Sequence, residues 1–148
     1  MDLRNHGEAD HHESMTYKEM AEDVLRVADQ RDIEKFSLLG HNMGAKVAMT
    51  LSCLHPDRVS CLISMDTAPL SFSQSQKTIQ QTVNHLNDIR SLSIEGKTRK
   101  TAIEIIQNKF SKDIGIANFI ASNVIYDPES NNTKVKWCIN LDAIINNI

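Results

Sequence analysis

The residues most able to do chemistry stand in one short run, Gly40-His41-Asn42-Met43-Gly44. An apolar stretch, Phe36-Ser37-Leu38-Leu39, leads into it, and Ala45-Lys46-Val47-Ala48-Met49 leaves it as a helix start. Strand, sharp turn and helix, with glycines at the two ends of the turn, form the setting of a nucleophile elbow. Its middle residue normally presents a serine hydroxyl to an acyl carbonyl. This chain has Asn42 there. An amide has no ionisable O–H and is not a practical acyl nucleophile. Gly40 and Gly44 omit side chains that would hold strand and helix apart. The frame of an acyl-transfer site is present, and its nucleophile is replaced.

Few other residues offer chemistry. His6, His11, His12 and Glu13 are of metal-binding types. Their spacing matches no closed zinc site, so a solvated loop is the expectation, and no metal or other cofactor is expected. Ser64 and Ser71 lie near a strand end and Cys61 within a strand, so none occupies a turn that would expose it as a nucleophile. Cys53, Cys61 and Cys138 are odd in number and form no C-x-x-C pair, which reads as reduced, mostly packed thiols of an intracellular protein. Asn131-Asn132-Thr133 fits a glycosylation acceptor. It reads as a chance match, because no secretory signal pattern opens the sequence.

The elements that must hold the turn follow from periodicity. Met15–Ala28 is predicted helical, with Thr16 as N-cap and Glu19 completing a capping box. Tyr17, Met20, Ala21, Val24, Leu25 and Ala28 fall on one face. Phe36–Leu39 predicts a strand and Ala45–His55 a helix ended by Pro56. Val59–Met65 predicts a second strand whose unbroken apolarity implies cover on both faces. Strand, helix and strand with short links predict a right-handed parallel crossover. Beyond Pro69 the composition changes. Ser71–Gln81 is polar, and Thr78–Asn87, Lys97–Phe110 and Ile114–Val124 carry helical patterns. Val124–Tyr126 and Val135–Ile139 predict a hairpin with a polar tip over 127–133, and Asn140–Ile148 a further helix. Met15, Met20, Met43, Met49 and Met65 suit core or pocket filling. A net charge of −3 without a Lys/Arg cluster gives no pointer to nucleic acid or to an anionic membrane surface. No apolar run approaches the roughly 20 residues of a membrane span.

Six blocks in order resemble one group of α/β-hydrolases. They are DLRNHG at Asp2–Gly7, MTYKEMAEDV at Met15–Val24, GHNMGAKVAM at Gly40–Met49, HPDRV at His55–Val59, MDTAP at Met65–Pro69 and WCINLDAI at Trp137–Ile144. The group is the mitochondrial esterase group around abhydrolase domain-containing protein 11, with its bacterial esterase relatives. The resemblance implies an α/β fold, here a partial α/β-hydrolase fold of parallel strands with crossover helices plus a helical cap. It places an α/β core over 1–70, the cap and hairpin over 71–134, and an incomplete return to the core over 135–148. It implies hydrolysis of small carboxylic esters or related acyl compounds by a serine, a histidine and a carboxylate, with backbone N–H groups at the oxyanion. Carried over, Asn42 takes the serine's place and the Met43 N–H is one oxyanion donor. Asp66 is the acid candidate favoured by geometry, because active groups gather at the carboxyl ends of parallel strands. Asp142 is the weaker candidate, since a first-turn carboxylate also suits the helix dipole.

The chain departs from the group's pattern in three respects. Serine is replaced by Asn42. The chain order of the triad is nucleophile, acid, histidine, and of the six histidines, His6, His11, His12, His41, His55 and His85, none follows Asp142. His85 follows Asp66 but falls in a helical stretch, and His41 points from the neighbouring residue of the turn. The second oxyanion donor comes from a loop after an earlier strand that these residues do not include. The expectation is a hydrolase scaffold without ester hydrolysis, either a truncated product or a pseudoenzyme. The alternative is a non-catalytic binding module for an acyl ligand or a protein partner. The resemblance implies mitochondrial residence. In the group another strand flanks the elbow strand, so Phe36–Leu39 here would be an apolar edge, and the chain alone is expected to be marginal as a monomer.

Overall fold

Thr16 starts the first helix as a capping box: its hydroxyl accepts from the Glu19 N–H, and the Glu19 carboxylate accepts from the Thr16 N–H at 2.9 Å. Helix α1 then runs Tyr17–Asp29 and buries Met20, Ala21, Leu25 and Ala28. The computed structural model describes residues 1–69 and 76–148. Strand β1 is Phe36–His41, helix α2 is Met43–Leu54, and strand β2 is Val59–Met65. A short 3-10 turn, Pro56–Arg58, joins α2 to β2. β1 and β2 pair in parallel, with Leu39 opposite Ile63 and His41 opposite Met65. The strand–helix–strand crossover expected from the sequence is therefore present. Its core combines Met20, Ala21, Leu25, Val47 and Leu51, with Phe36, Leu38 and Val59 packed against them.

The cover of β2 differs from expectation. Its apolar run predicted cover on both faces, yet Cys61, Ile63 and Met65 are exposed. The cause is the period of the strand. Leu38, Phe36 and Val59 face the layer made by α1 and α2, while Ser37, Leu39, His41, Cys61, Ile63 and Met65 share the opposite face through the pairing register. Among the described residues nothing covers that face; Leu39 is 66% exposed and Ile63 49%. The thiols differ too: Cys53 and Cys61 are free and exposed, and Cys138 is free and half-buried. Met20 is buried as expected, whereas Met65 lies on the open sheet face.

Helices α3 (Gln76–Arg90), α4 (Arg99–Lys109) and α5 (Ile114–Ala121) follow, then β3 (Val124–Tyr126), β4 (Val135–Trp137) and α6 (Leu141–Asn146). Residues 71–75 of the polar stretch, Ser71 among them, lie outside the described residues. β3 and β4 form the expected antiparallel hairpin. Its tip turns through Asn131 and Asn132 at positive φ, which asparagine tolerates. A second apolar core gathers Leu92, Ile94, Ala102, Ile106, Ile120, Val124, Val135, Trp137 and Leu141.

A polar seam ties the N-terminal loop to α6. Asn5 is fully buried at positive φ. Its side-chain oxygen accepts from the His12 N–H at 2.8 Å and from the Asn140 amide at 3.2 Å, and its carbonyl accepts from the Asn140 N–H at 3.0 Å. Asn147 adds a bond from its amide to the Glu13 carbonyl at 3.2 Å. Nearby, Arg4 grips Asp23 with two bonds of 2.6 and 2.9 Å, the fork geometry that makes such pairs strong.

Candidate active site

The turn between β1 and α2 is held by contacts that only a small residue permits at one point. A Cβ on Gly40 would run into the Gly44 carbonyl oxygen and come within 2.6 Å of the Ala45 Cα. Gly40 is therefore the residue that lets helix and strand meet. A Cβ on Gly44 would meet nothing within 4 Å, so the expectation that both glycines serve close approach holds at Gly40 alone.

Asn42 sits between the two elements with φ 49° and ψ −116°. Positive φ is rare outside glycine and concentrates at functional turns. The Asn42 N–H donates to the Met65 carbonyl at 3.1 Å, and its carbonyl accepts from the Ala45 N–H at 3.0 Å. The turn is thereby tied to the end of β2 and to the first turn of α2. The Asn42 side chain is exposed and makes no capping bond. The Met43 N–H is in the first helical turn, where amides lack intrahelical acceptors and the helix dipole favours negative charge.

Asp66 follows β2 at φ 58°. Its Oδ2 lies 3.8 Å from His41 Nε2, and both side chains are largely exposed. Thr67 donates from its hydroxyl to the Asn42 carbonyl at 3.3 Å. The carboxyl ends of the two strands thus bring together Asn42, His41, Asp66 and Thr67. Asp142 lies elsewhere: it is in the first turn of α6 and pairs with Arg90 of α3 at 3.2 Å. His55 pairs with Glu22 at 3.1 Å, and His6 Nδ1 lies 3.0 Å from the Arg4 carbonyl. Among the described residues, no three His, Cys, Asp or Glu side chains gather as a metal site.

A wide cleft lies away from the elbow. It encloses about 1220 Å³ between the N-terminal loop, the α3–α4 link, the hairpin and α6. Leu92, Tyr126, Trp137 and Ile139 supply its apolar wall, and Arg90 and Lys136 face a larger number of carboxylates, Glu8, Asp10, Glu95 and Asp142. No residue of the elbow lines it. The sequence pattern did not disclose Asn5 either. Its only signal was an asparagine in a glycine-ended loop, which says nothing of a partner 135 residues away.

Comparison with known proteins agrees with this architecture. The family model for the alpha/beta hydrolase fold matches residues 1–111. The chain is 31% identical over 150 aligned residues to the sn-1-specific diacylglycerol lipase ABHD11 of Xenopus tropicalis, covering 97% of this chain and 44% of that protein. It is 28% identical to esterase YbfF of Escherichia coli K12 over 93% of this chain and 52% of that one. Among solved structures, a marine microorganism esterase superposes with a TM-score of 0.82 at 28% identity, over 97% of this chain and 54% of that one. The chain belongs to the α/β-hydrolase family. It carries part of that fold together with a helical cap, and it spans about half the length of the curated relatives it matches.

Proposed function

We propose that this chain is an ester-hydrolase scaffold that does not itself hydrolyse esters. The observation that carries this is Asn42 at the tip of the elbow, exposed, in the backbone conformation a nucleophile would need. A carboxamide cannot form the acyl-enzyme of this chemistry. In this reading Met43 N–H keeps the oxyanion position, Asp66 the acid position, and Gly40, His41 and Gly44 shape the turn. Asp142 is the weaker acid candidate, since its partner is Arg90. The ligand class is a small acyl or ester compound, as the names of the relatives suggest. Mitochondrial residence rests on the resemblance to the esterase group alone. No helix among the described residues is long and apolar enough to cross a membrane.

The test is turnover of a short-chain aryl ester by the 148-residue chain. The expected rate equals the buffer background. Asn42→Ser should leave it there. His41 faces Asp66 from the adjacent strand residue, His55 is taken up by Glu22, and His6 by its own loop. In this reading none of them takes a proton from residue 42. Turnover restored by Asn42→Ser alone would refute this reading.

A second reading is a binding module, favoured by the cleft of about 1220 Å³ lined by Trp137 and Leu92. An acyl ligand seated there raises the melting temperature in proportion to its occupancy. Trp137 fluorescence should change with the same midpoint.

A further inference from the structure

Helix α5 reads IGIANFIA, with one polar residue, Asn118, and no charge. A helix apolar on all sides normally lies inside a protein or in a membrane. Only one side of α5 is covered. Ala117 and Ile120 are buried in the second core, while Ile114 is 72% exposed, Phe119 74% and Ile116 39%. Large apolar side chains left exposed along one helix mark an interaction site.

The surroundings of that face say what covers it. Lys109 and Lys112 precede the helix, Lys112 exposed and Lys109 reaching Asp88 at 2.7 Å, with the N-cap Asp113 between Lys112 and the first turn. Beyond its other end Arg99 donates to the Val124 carbonyl at 2.7 Å and stands 5.5 Å over the ring of half-exposed Tyr126. Lys97 and Lys100 flank Arg99. Residues 97–122 hold five basic side chains against two acidic ones, in a chain of net charge −3. An uncovered apolar helix with an aromatic ring on its outer side and cations at both ends is suited to the interface of a bilayer. Phe and Ile enter the acyl boundary, and lysine stems follow while their ammonium groups stay among the headgroups. Each such cation near an anionic leaflet adds an attraction that salt screens.

We propose that α5, with Lys112 before it and Arg99 and Tyr126 beyond it, docks on an anionic lipid surface. No such pointer stands in the sequence, because its basic residues are spread along the chain. Folding places two groups of them at the two ends of one uncovered helix. This site is separate from the elbow, and it stands whether or not the elbow is catalytic.

The test is co-sedimentation of the 148-residue chain with vesicles. One set is phosphatidylcholine alone, the other equal parts phosphatidylcholine and phosphatidylglycerol. The chain should pellet with the anionic vesicles at low salt, be released as salt rises, and stay in solution with neutral ones. Phe119→Ser and Lys112→Glu should each lower partitioning on the order of tenfold. Both positions are exposed, and far-UV circular dichroism checks that both variants fold. Equal binding to the two vesicle types, or binding that neither variant weakens, overturns the proposal. So does the absence of vesicle binding, including the case where sedimentation shows self-association that Phe119→Ser abolishes, which would assign the face to a second copy.

Discussion

At the scale of single residues, the two glycines of the elbow are unequal. A methyl group on Gly40 collides with the backbone of Gly44 and Ala45. Backbone cannot give way as a side-chain tip can, so Gly40→Ala should cost about 3 kcal/mol or more. Gly44 is in α2 with open space around its Cα. Gly44→Ala should be neutral or stabilise by roughly 0.5–1 kcal/mol, the helix preference of alanine over glycine. Urea midpoints of the two variants test this, and similar losses in both would disprove the asymmetry. The sequence shows both glycines at motif spacing but not which one touches backbone, because that depends on the angle at which α2 leaves β1. Asn42 was legible as a missing nucleophile from its neighbours alone. Its tie to Met65 was not, since the register of β1 on β2 is a tertiary fact.

At the scale of elements, α1 carries the clearest acid sensitivity. Glu19 is held at about 2 against its usual 4.5, first by the Ser14 hydroxyl and then by the hydroxyl and N–H of Thr16. Asp23 is also held below the usual carboxylate range, chiefly by its hydrogen bond from Arg4. Both acids bind protons less readily folded than unfolded. Their stabilising effect is complete above about pH 4.5 and is lost as pH falls toward about 2. The urea midpoint should drop across that window, and Glu19→Gln should flatten the drop. An identical slope in the variant would trace the acid sensitivity to other groups. The capping box and the apolar stripe of α1 were plain in the sequence, because both are local and periodic. β2 was misjudged because continuous apolarity reports what a strand is made for. It does not report which layers the chain supplies.

At the scale of the molecule, there are two separate apolar cores among the described residues, one around Met20 and Leu51 and one around Ile94 and Ile106. The sheet beside the first core has one helical layer, and its other face presents Leu39 and Ile63 as a directly opposed pair. Opposed apolar residues on an uncovered sheet are an association hazard. The wild-type chain should sediment as species larger than its 16.7 kDa monomer. Leu39→Thr with Ile63→Thr puts a strand-favouring β-branched residue at both positions and should shift it toward monomer. A wild-type chain that stays monomeric at tens of micromolar and unfolds cooperatively would refute this (concentrations typical of such in-vitro association).

The bond between Asn5 and Asn140 spans 135 residues of sequence. On the ribosome the opening loop must therefore wait for almost everything after it to be made. At about 5–20 residues per second that delay is roughly 7–27 s. Through it Asn5 has its local partners, the His12 N–H and the Asp10 carbonyl, but not the amide and N–H of Asn140, and the first helix grows without the strap that later anchors it. Closure of the ring is thus a late event, and burial of Asn5 against Asn140 should trail the appearance of helix signal in refolding.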